Sequence, residues 1–295
     1  LKISSLVSSR ASRVEPFLGV LRGEHFVDLN AAVPSLPREL GALLRSPEYD
    51  RARLHEVVEK ADSSLLRKAS EVTYRPLVTD ASKILCLGLN YVDHASESAH
   101  QKPDYPVVFG RYTQSFVGHD RPLLLPPESH HFDYEAELVV VIGKAGRRIS
   151  RDAALSHVAG YSLMNDGSIR DYQTRTGQWT IGKNFDSSGS LGPALVTPDE
   201  LPPGARGLVL RGLLNGQVMQ EASTSDMIFG VEDALSILSE GMTLNVGDVV
   251  AMGTPGGVGF VRKPPVYMKA GDVFTVEVER VGVLSNAIMA EAEAK

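Results

Sequence analysis

Glu135 and Glu137 stand two residues apart in the run Phe132 to Gly143, whose second half is a string of aliphatic residues. That apolar tail reads as a strand, and in a strand residues i and i+2 point to the same side. The two carboxylates therefore project together beside a segment that enters the core. Such a pair repels and raises each other's pKa unless a cation sits between them. Carboxylate oxygens without thiolate or an evident histidine set favour a hard divalent ion, Mg²⁺, Mn²⁺ or Ca²⁺, over Zn²⁺. A solvated edge-strand face is the competing reading of this stretch. Asp166 is the third acidic candidate: a strand ends at Met164, and Asn165-Asp166-Gly167 forms the turn after it. A strand end on a rigid scaffold is a usual place for a metal ligand, with a plain turn-forming role as the alternative.

Other residues could do proton or substrate chemistry near such an ion. His94 and Glu97 are three apart after the strand Ile84 to Leu87, so on a short helix a carboxylate would lie beside an imidazole and raise its basicity. An exposed helical pair without a role is the bland alternative. Arg170 and Gln173 share a face if a short helix follows the Asp166 turn. Lys183 lies in a glycine- and serine-rich loop, where a lysine can pair with a substrate carboxylate or a developing oxyanion. Gly253-Thr254-Pro255-Gly256-Gly257-Val258-Gly259 lacks the Gly-Lys-Ser/Thr ending of a phosphate loop and is followed by Pro264-Pro265 rather than a helix. Its amides and Thr254 could still cradle a carboxylate.

These groups need a scaffold of strands. The 295 residues suffice for one large core, or a core domain with a smaller module. Short β-branched runs, 27 Gly and 17 Pro point to a turn-rich, mostly β body with inserted helices. Residues 1–78 read as a small N-terminal α+β module: a hairpin over Pro16–Leu21 and His25–Asp28, then helices over Arg38–Leu44 and Asp50–Ala61. Residues 79–295 read as the main body, with helices expected at Ala153–Val158 and Val231–Leu238. The balance of 30 basic against 36 acidic residues gives a net charge of -6, so nothing draws the chain to nucleic acid or to an anionic membrane. No apolar stretch is long enough to span a bilayer. The single cysteine, Cys86, lies in an apolar run and reads as a core thiol. With no signal-like segment at the N-terminus, a cytoplasmic enzyme is expected.

Taken as a set, these motifs resemble the fumarylacetoacetate hydrolase family, on the side of its bacterial acylpyruvate hydrolases. The matching features are Gly88 to His94, Asp133 to Leu138 with Val141 to Lys144, Asn165-Asp166, Arg170 to Gln173, Gly182 to Asp186, Leu191 to Pro193 and Gly253 to Gly259. The resemblance implies a mixed β-roll catalytic domain, a homodimer, and an Mg²⁺ or Mn²⁺ ion held by Glu135, Glu137 and Asp166. It implies His94 and Glu97 as the water-activating pair and Lys183 as the pocket lysine. Arg170, Gln173 and Thr254 take the substrate side. Arg111 stands where many members carry lysine, and its bidentate fork would extend the pocket toward a carboxylate. The activity so implied is hydrolytic C–C cleavage of a 2,4-diketo acid of acylpyruvate or fumarylpyruvate type. The alternatives are an oxaloacetate or β-keto acid decarboxylase or keto–enol isomerase on the same site, and a hydrolase of a sugar-derived 2,4-diketo-3-deoxy acid.

Overall fold

The computed structural model describes residues 1–9, 15–93 and 103–294. Strand Ala136–Ile142, buried along its whole length, lies deep inside the protein. It pairs antiparallel with Val158–Asn165 on one side and Val249–Ala251 on the other. A nearly continuous aliphatic run is what a strand covered on both faces requires. Alternation then divides its side chains between two cores. Leu138, Val140 and Ile142 pack with Leu210, Phe274, Val276 and Leu284 of a second sheet and with Leu235 of helix Val231–Gly241. Val139 and Val141 pack on the opposite side with Leu40, Leu43 and Leu54 from helices Leu40–Arg45 and Arg51–Lys60. This central position removes the edge-strand reading of the glutamate pair.

Among the described residues, the large sheet has twelve strands. Its path runs Leu66–Lys68, His25–Asp28, Pro16–Arg22, Lys2–Ser8, Gly189–Val196, Val158–Asn165, Ala136–Ile142, Val249–Ala251, Ile84–Gly88 and Val107–Arg111. Val72–Tyr74 and Phe116–Val117 join beside Lys2–Ser8 and Gly189–Val196. Pairing is mixed: Val249–Ala251 runs parallel to Ile84–Gly88, and most other pairs are antiparallel. The second sheet has, among the described residues, five strands, Gln217–Ser223, Val209–Leu214, Val273–Val278, Gly282–Ala290 and Leu123–Leu125. A mixed β core with inserted helices is thus the observed architecture, as the sequence led us to expect.

The N-terminal hairpin forms as expected, Leu21 opposite Phe26, with Gly23 at φ 62° supplying the left-handed turn. Asp50 caps helix Arg51–Lys60 by accepting the amides of Ala52 and Arg53. Strand Lys2–Ser8 pairs with Gly189–Val196, Ile3 opposite Leu195, so the first 78 residues share a continuous sheet with the rest. The helix expected at Ala153–Val158 forms as a 3₁₀ helix, Arg151–His157. It is pinned at its end, where the His157 carbonyl accepts the amides of Gly143 and Lys144, and is too short for α-helical propagation to win. Among the described residues, no helix is long and apolar enough to cross a membrane.

Candidate active site

Three backbone devices bring the acidic residues together. Ala136 stands opposite Asn165 in the sheet, so the ends of two neighbouring strands coincide. Just beyond that pair, the Asp166 amide donates to the Glu135 carbonyl at 2.9 Å, and the Glu135 amide donates to Asn165 Oδ1 at 3.1 Å. The short ribbon of Phe132–Asp133 with Ser168–Ile169 closes the corner. Glu135, Glu137 and Asp166 thereby offer carboxylate oxygens that all lie within 4.8 Å of one another, each residue buried. Glu137 is held by the ladder itself, and Glu135 and Asp166, one residue beyond its end, by the hydrogen bonds that close it.

Cations surround two of the three carboxylates. Lys183 Nζ lies 2.8 Å from Glu135 Oε2 and 2.6 Å from Asp166 Oδ2. Arg170 reaches Glu135 Oε1 at 2.7 Å, and Arg111 reaches Asp166 Oδ1 at 2.6 Å. Burial disfavours the Lys183 ammonium, but the carboxylates of Asp166 and Glu135 outweigh it and hold its pKa above the usual lysine value. Burial likewise works against the Arg170 charge and is overcome by Asp133 and Glu135. Glu137 is treated differently. Its Oε2 accepts the Gly253 amide at 2.9 Å, and no ion pair reaches it among the described residues. Burial first, then the charges of Asp166 and Glu135, push its carboxyl well above the ordinary range. A divalent cation among these three residues would relieve that conflict, and an all-oxygen donor set suits a hard ion of the Mg²⁺ or Mn²⁺ class. The residues present therefore fit such an ion.

The cluster opens on a cavity of about 310 Å³, a size suited to a small organic acid. Its polar wall holds Glu135, Glu137, Arg170, Gln173, Lys183 and Thr254, and its apolar wall Leu87, Leu89, Phe109, Trp179, Val258 and Phe260. Helix Arg170–Gln173 presents both named side chains to this space, and Arg170 Nη1 donates to Gln173 Oε1 at 2.8 Å. Thr254 is held by Gln220, whose Nε2 donates to its hydroxyl at 2.7 Å while its Oε1 accepts the Ala136 amide. Gly253 sits at φ 88°, where a Cβ would stand 2.9 Å from the Leu87 carbonyl. The backbone can present its amide to Glu137 only because that residue is glycine.

Not every expected residue meets the cavity. Arg111 lies behind Asp166 and does not line it. Its guanidinium is fully enclosed and spent on Asp166, the Gly167 carbonyl, Ser188 Oγ and Ser115 Oγ, over the Phe116 ring. A bidentate grip on substrate is thus replaced by a grip on a candidate ligand. His94 and Glu97 lie outside the described residues; the strand Ile84–Gly88 and Leu89 that lead toward them do border the cavity. Sequence reasoning assigns no role to Asp133, Gln220 or Trp179. Asp133 carried a weak signal, sharing the parity of Glu135 and Glu137, whereas Gln220 in an ordinary alternating strand carried none.

Residues 83–289 match the family model described as fumarylacetoacetate (FAA) hydrolase C-terminal. The chain belongs to the fumarylacetoacetate hydrolase family. Relatives of this family member include the human protein named oxaloacetate tautomerase FAHD2A, mitochondrial, 39% identical over 96% of this chain and 91% of that one. The Xenopus laevis oxaloacetate tautomerase fahd2, mitochondrial, is 39% identical over 90% of this chain and 83% of its own. Among solved structures, a fumarylacetoacetate hydrolase from Exiguobacterium antarcticum superposes with a TM-score of 0.83 at 32% identity, covering 98% of this chain and 100% of that one. The β-roll fold of the family is therefore shown. The expectation of a cytoplasmic enzyme is corrected: relatives of 38% to 40% identity from frog, human, rat and cattle carry the word mitochondrial in their names. A single thiol and a mild charge do not discriminate between reducing compartments, so they lend the cytoplasmic expectation no support.

Proposed function

We propose that this protein is a divalent-metal-dependent keto–enol tautomerase acting on oxaloacetate or a closely related β-keto acid. The observation that carries the reading is the buried Glu135, Glu137 and Asp166 cluster opening beside a charged lysine on a cavity of small-acid size. The tautomerase names of relatives near 39% identity favour this reading over the expected C–C hydrolysis. When bound, Mg²⁺ or Mn²⁺ would hold a 2-keto carboxylate and stabilise the charge gathering on the keto oxygen as a C3 proton leaves. The chain's own groups would do the rest. Lys183 adds a fixed positive charge beside the developing enolate. Arg170 and Gln173 orient the substrate, and the Thr254 loop offers amide donors. Trp179, Phe109 and Phe260 keep bulk water from the reacting carbon. By the resemblance, His94 with Glu97 is the proton-carrying pair.

Hydrolysis of an acylpyruvate stands as the second reading, favoured by the likeness to the Exiguobacterium antarcticum hydrolase. It needs the same ion and, in addition, an activated water. The two separate on a panel of oxaloacetate, acetylpyruvate and fumarylpyruvate with Mg²⁺, Mn²⁺ or chelator. The tautomerase reading expects metal-dependent acceleration of the enol–keto absorbance change of oxaloacetate, with no acid fragments and no added CO₂. Pyruvate release from acetylpyruvate without any effect on the oxaloacetate tautomers would transfer the assignment to the hydrolase. The homodimer implied by the family is proposed with it, and light scattering on the eluted protein tests that state.

A further inference from the structure

Asp133 is 0% exposed and lies outside the candidate ligand set. Four donors nevertheless converge on its carboxylate. Oδ1 accepts the Tyr134 amide at 2.9 Å and the Gly259 amide at 2.8 Å. Oδ2 accepts Arg170 Nε at 2.8 Å and the Phe260 amide at 2.9 Å. A buried carboxylate that accepts from that many donors is firmly placed. The donors come from three separate stretches: the turn leading into Glu135, helix Arg170–Gln173, and the glycine-rich loop after Gly253. The loop comes so close that a Cβ on Gly259 would stand 1.8 Å from the Val266 carbonyl and 2.6 Å from Asp133 Oδ1. Arg170 and Phe260, both tied to Asp133, line the cavity from these two elements, with the Arg170 guanidinium 5.8 Å from the Phe260 ring centre. Fixing Arg170 at Nε sets the plane of its fork, and so the direction in which its other nitrogens meet Glu135 and Gln173.

We infer that Asp133 is a positioning residue that locks the Arg170 guanidinium to the loop 253–260 and so sets the substrate-side wall of the cavity. The inference rests on the proposed reading only in taking Arg170 as a substrate contact. Asp133→Asn keeps the size of the side chain, removes its charge and turns an amide NH₂ toward a donor. The variant is compared with the wild type by Mn²⁺ titration calorimetry, by steady-state kinetics on oxaloacetate, and by hydrogen exchange. Mn²⁺ affinity is expected to fall by less than the about tenfold typical of losing a ligand's own hydrogen-bond partner, because the Asp133 carboxylate bonds to none of the three candidate ligands. KM is expected to rise about tenfold or more with kcat changed far less, the pattern of lost substrate positioning. Exchange should quicken over 253–260 and not along Ala136–Ile142. Asp133→Glu, which restores the charge, should recover part of the KM. An unchanged KM, a loss of Mn²⁺ affinity matching the loss of activity, or exchange quickened equally everywhere would overturn the inference. Exchange and metal titration need no turnover, so they judge the lock even for an enzyme whose substrate is not oxaloacetate. Should Asp133→Asn fail to fold, the wild type decides: unprotected Gly259 and Phe260 amides would mean there is no lock.

Discussion

Glu137 is the candidate ligand with the least compensation, held by one backbone amide and set against two neighbouring carboxylates. Glutamine at this position keeps an acceptor for Gly253 and removes the charge that burial opposes. In chelator, Glu137→Gln is therefore expected to melt at or above the wild-type temperature. Its Mg²⁺ affinity should fall by well over about tenfold, since losing a direct ligand costs more than losing an outer partner. Undiminished affinity in calorimetry would remove Glu137 from the ligand set. Arg111 offers the converse case. Its guanidinium and the Asp166 carboxylate are both fully enclosed, so Arg111→Ala leaves Lys183 as the one cation, among the described residues, on a buried carboxylate and orphans the polar groups around the lost fork, which should cost about 3–5 kcal/mol in urea unfolding. Arg111→Lys should cost less, keeping the charge but not the bonds to Ser115 and Ser188. A loss under about 1 kcal/mol in the alanine variant would mean that Lys183 alone is sufficient counter-ion for Asp166. These two residues also mark what a single sequence discloses. The carboxylate cluster was legible because strand periodicity joins Glu135 to Glu137 and a strand end delivers Asp166. The task of Arg111 was not, because a side chain's partner depends on which loops fold behind it.

At the level of elements, continuous aliphatic runs were the readable signal. Ala136–Ile142 and Val231–Gly241 stand within a few residues of where the sequence put them. The helix expected at Ala153–Val158 stands as the 3₁₀ segment Arg151–His157, since composition marks a helical turn there but not its winding. The pairing of Lys2–Ser8 with Gly189–Val196 joins residues nearly 200 apart, a distance over which local pattern carries no register. The sequence marks the glycine-rich loop as a cradle, but not as a clamp on Glu137. Gly253→Ala tests that clamp. The residue holds φ 88°, and a Cβ would crowd the Leu87 carbonyl and Asn90. A loss of about 1–3 kcal/mol in stability is expected from forcing an L side chain into that conformation. Because the displaced amide no longer meets Glu137, Mg²⁺ affinity should fall as well. Full affinity in a destabilised Gly253→Ala protein would separate the loop from the metal cluster.

Across the whole molecule, His119 ties the two sheets together. Its ring meets Tyr74 of the large sheet edge-on at 4.8 Å, and its Nδ1 accepts the Ser285 amide of the five-stranded sheet at 3.0 Å. An accepting Nδ1 has no proton, so the neutral ring is the form that fits. Burial lowers the His119 pKa, and the nearby Asp120 charge offsets this only in part. The unfolded chain then takes up its histidine proton at a higher pH than the folded one. Stability must rise with pH wherever the unfolded state binds more protons. The His119 contribution is accordingly complete above the ordinary histidine pKa of about 6.5 and is lost as pH falls below it, until the folded protein is protonated too. Glutamine at 119 can accept from the Ser285 amide but does not titrate. Unfolding in urea from pH 8 down to pH 5 should therefore show the wild type losing more stability than His119→Gln over the acidic half of that range. The difference should persist in chelator, because His119 lies in neither the acidic cluster nor the cavity wall. A wild type that gains stability relative to His119→Gln on acidification would mean the ring is protonated in the fold. The Ser285 contact could not then be the hydrogen bond that joins the sheets.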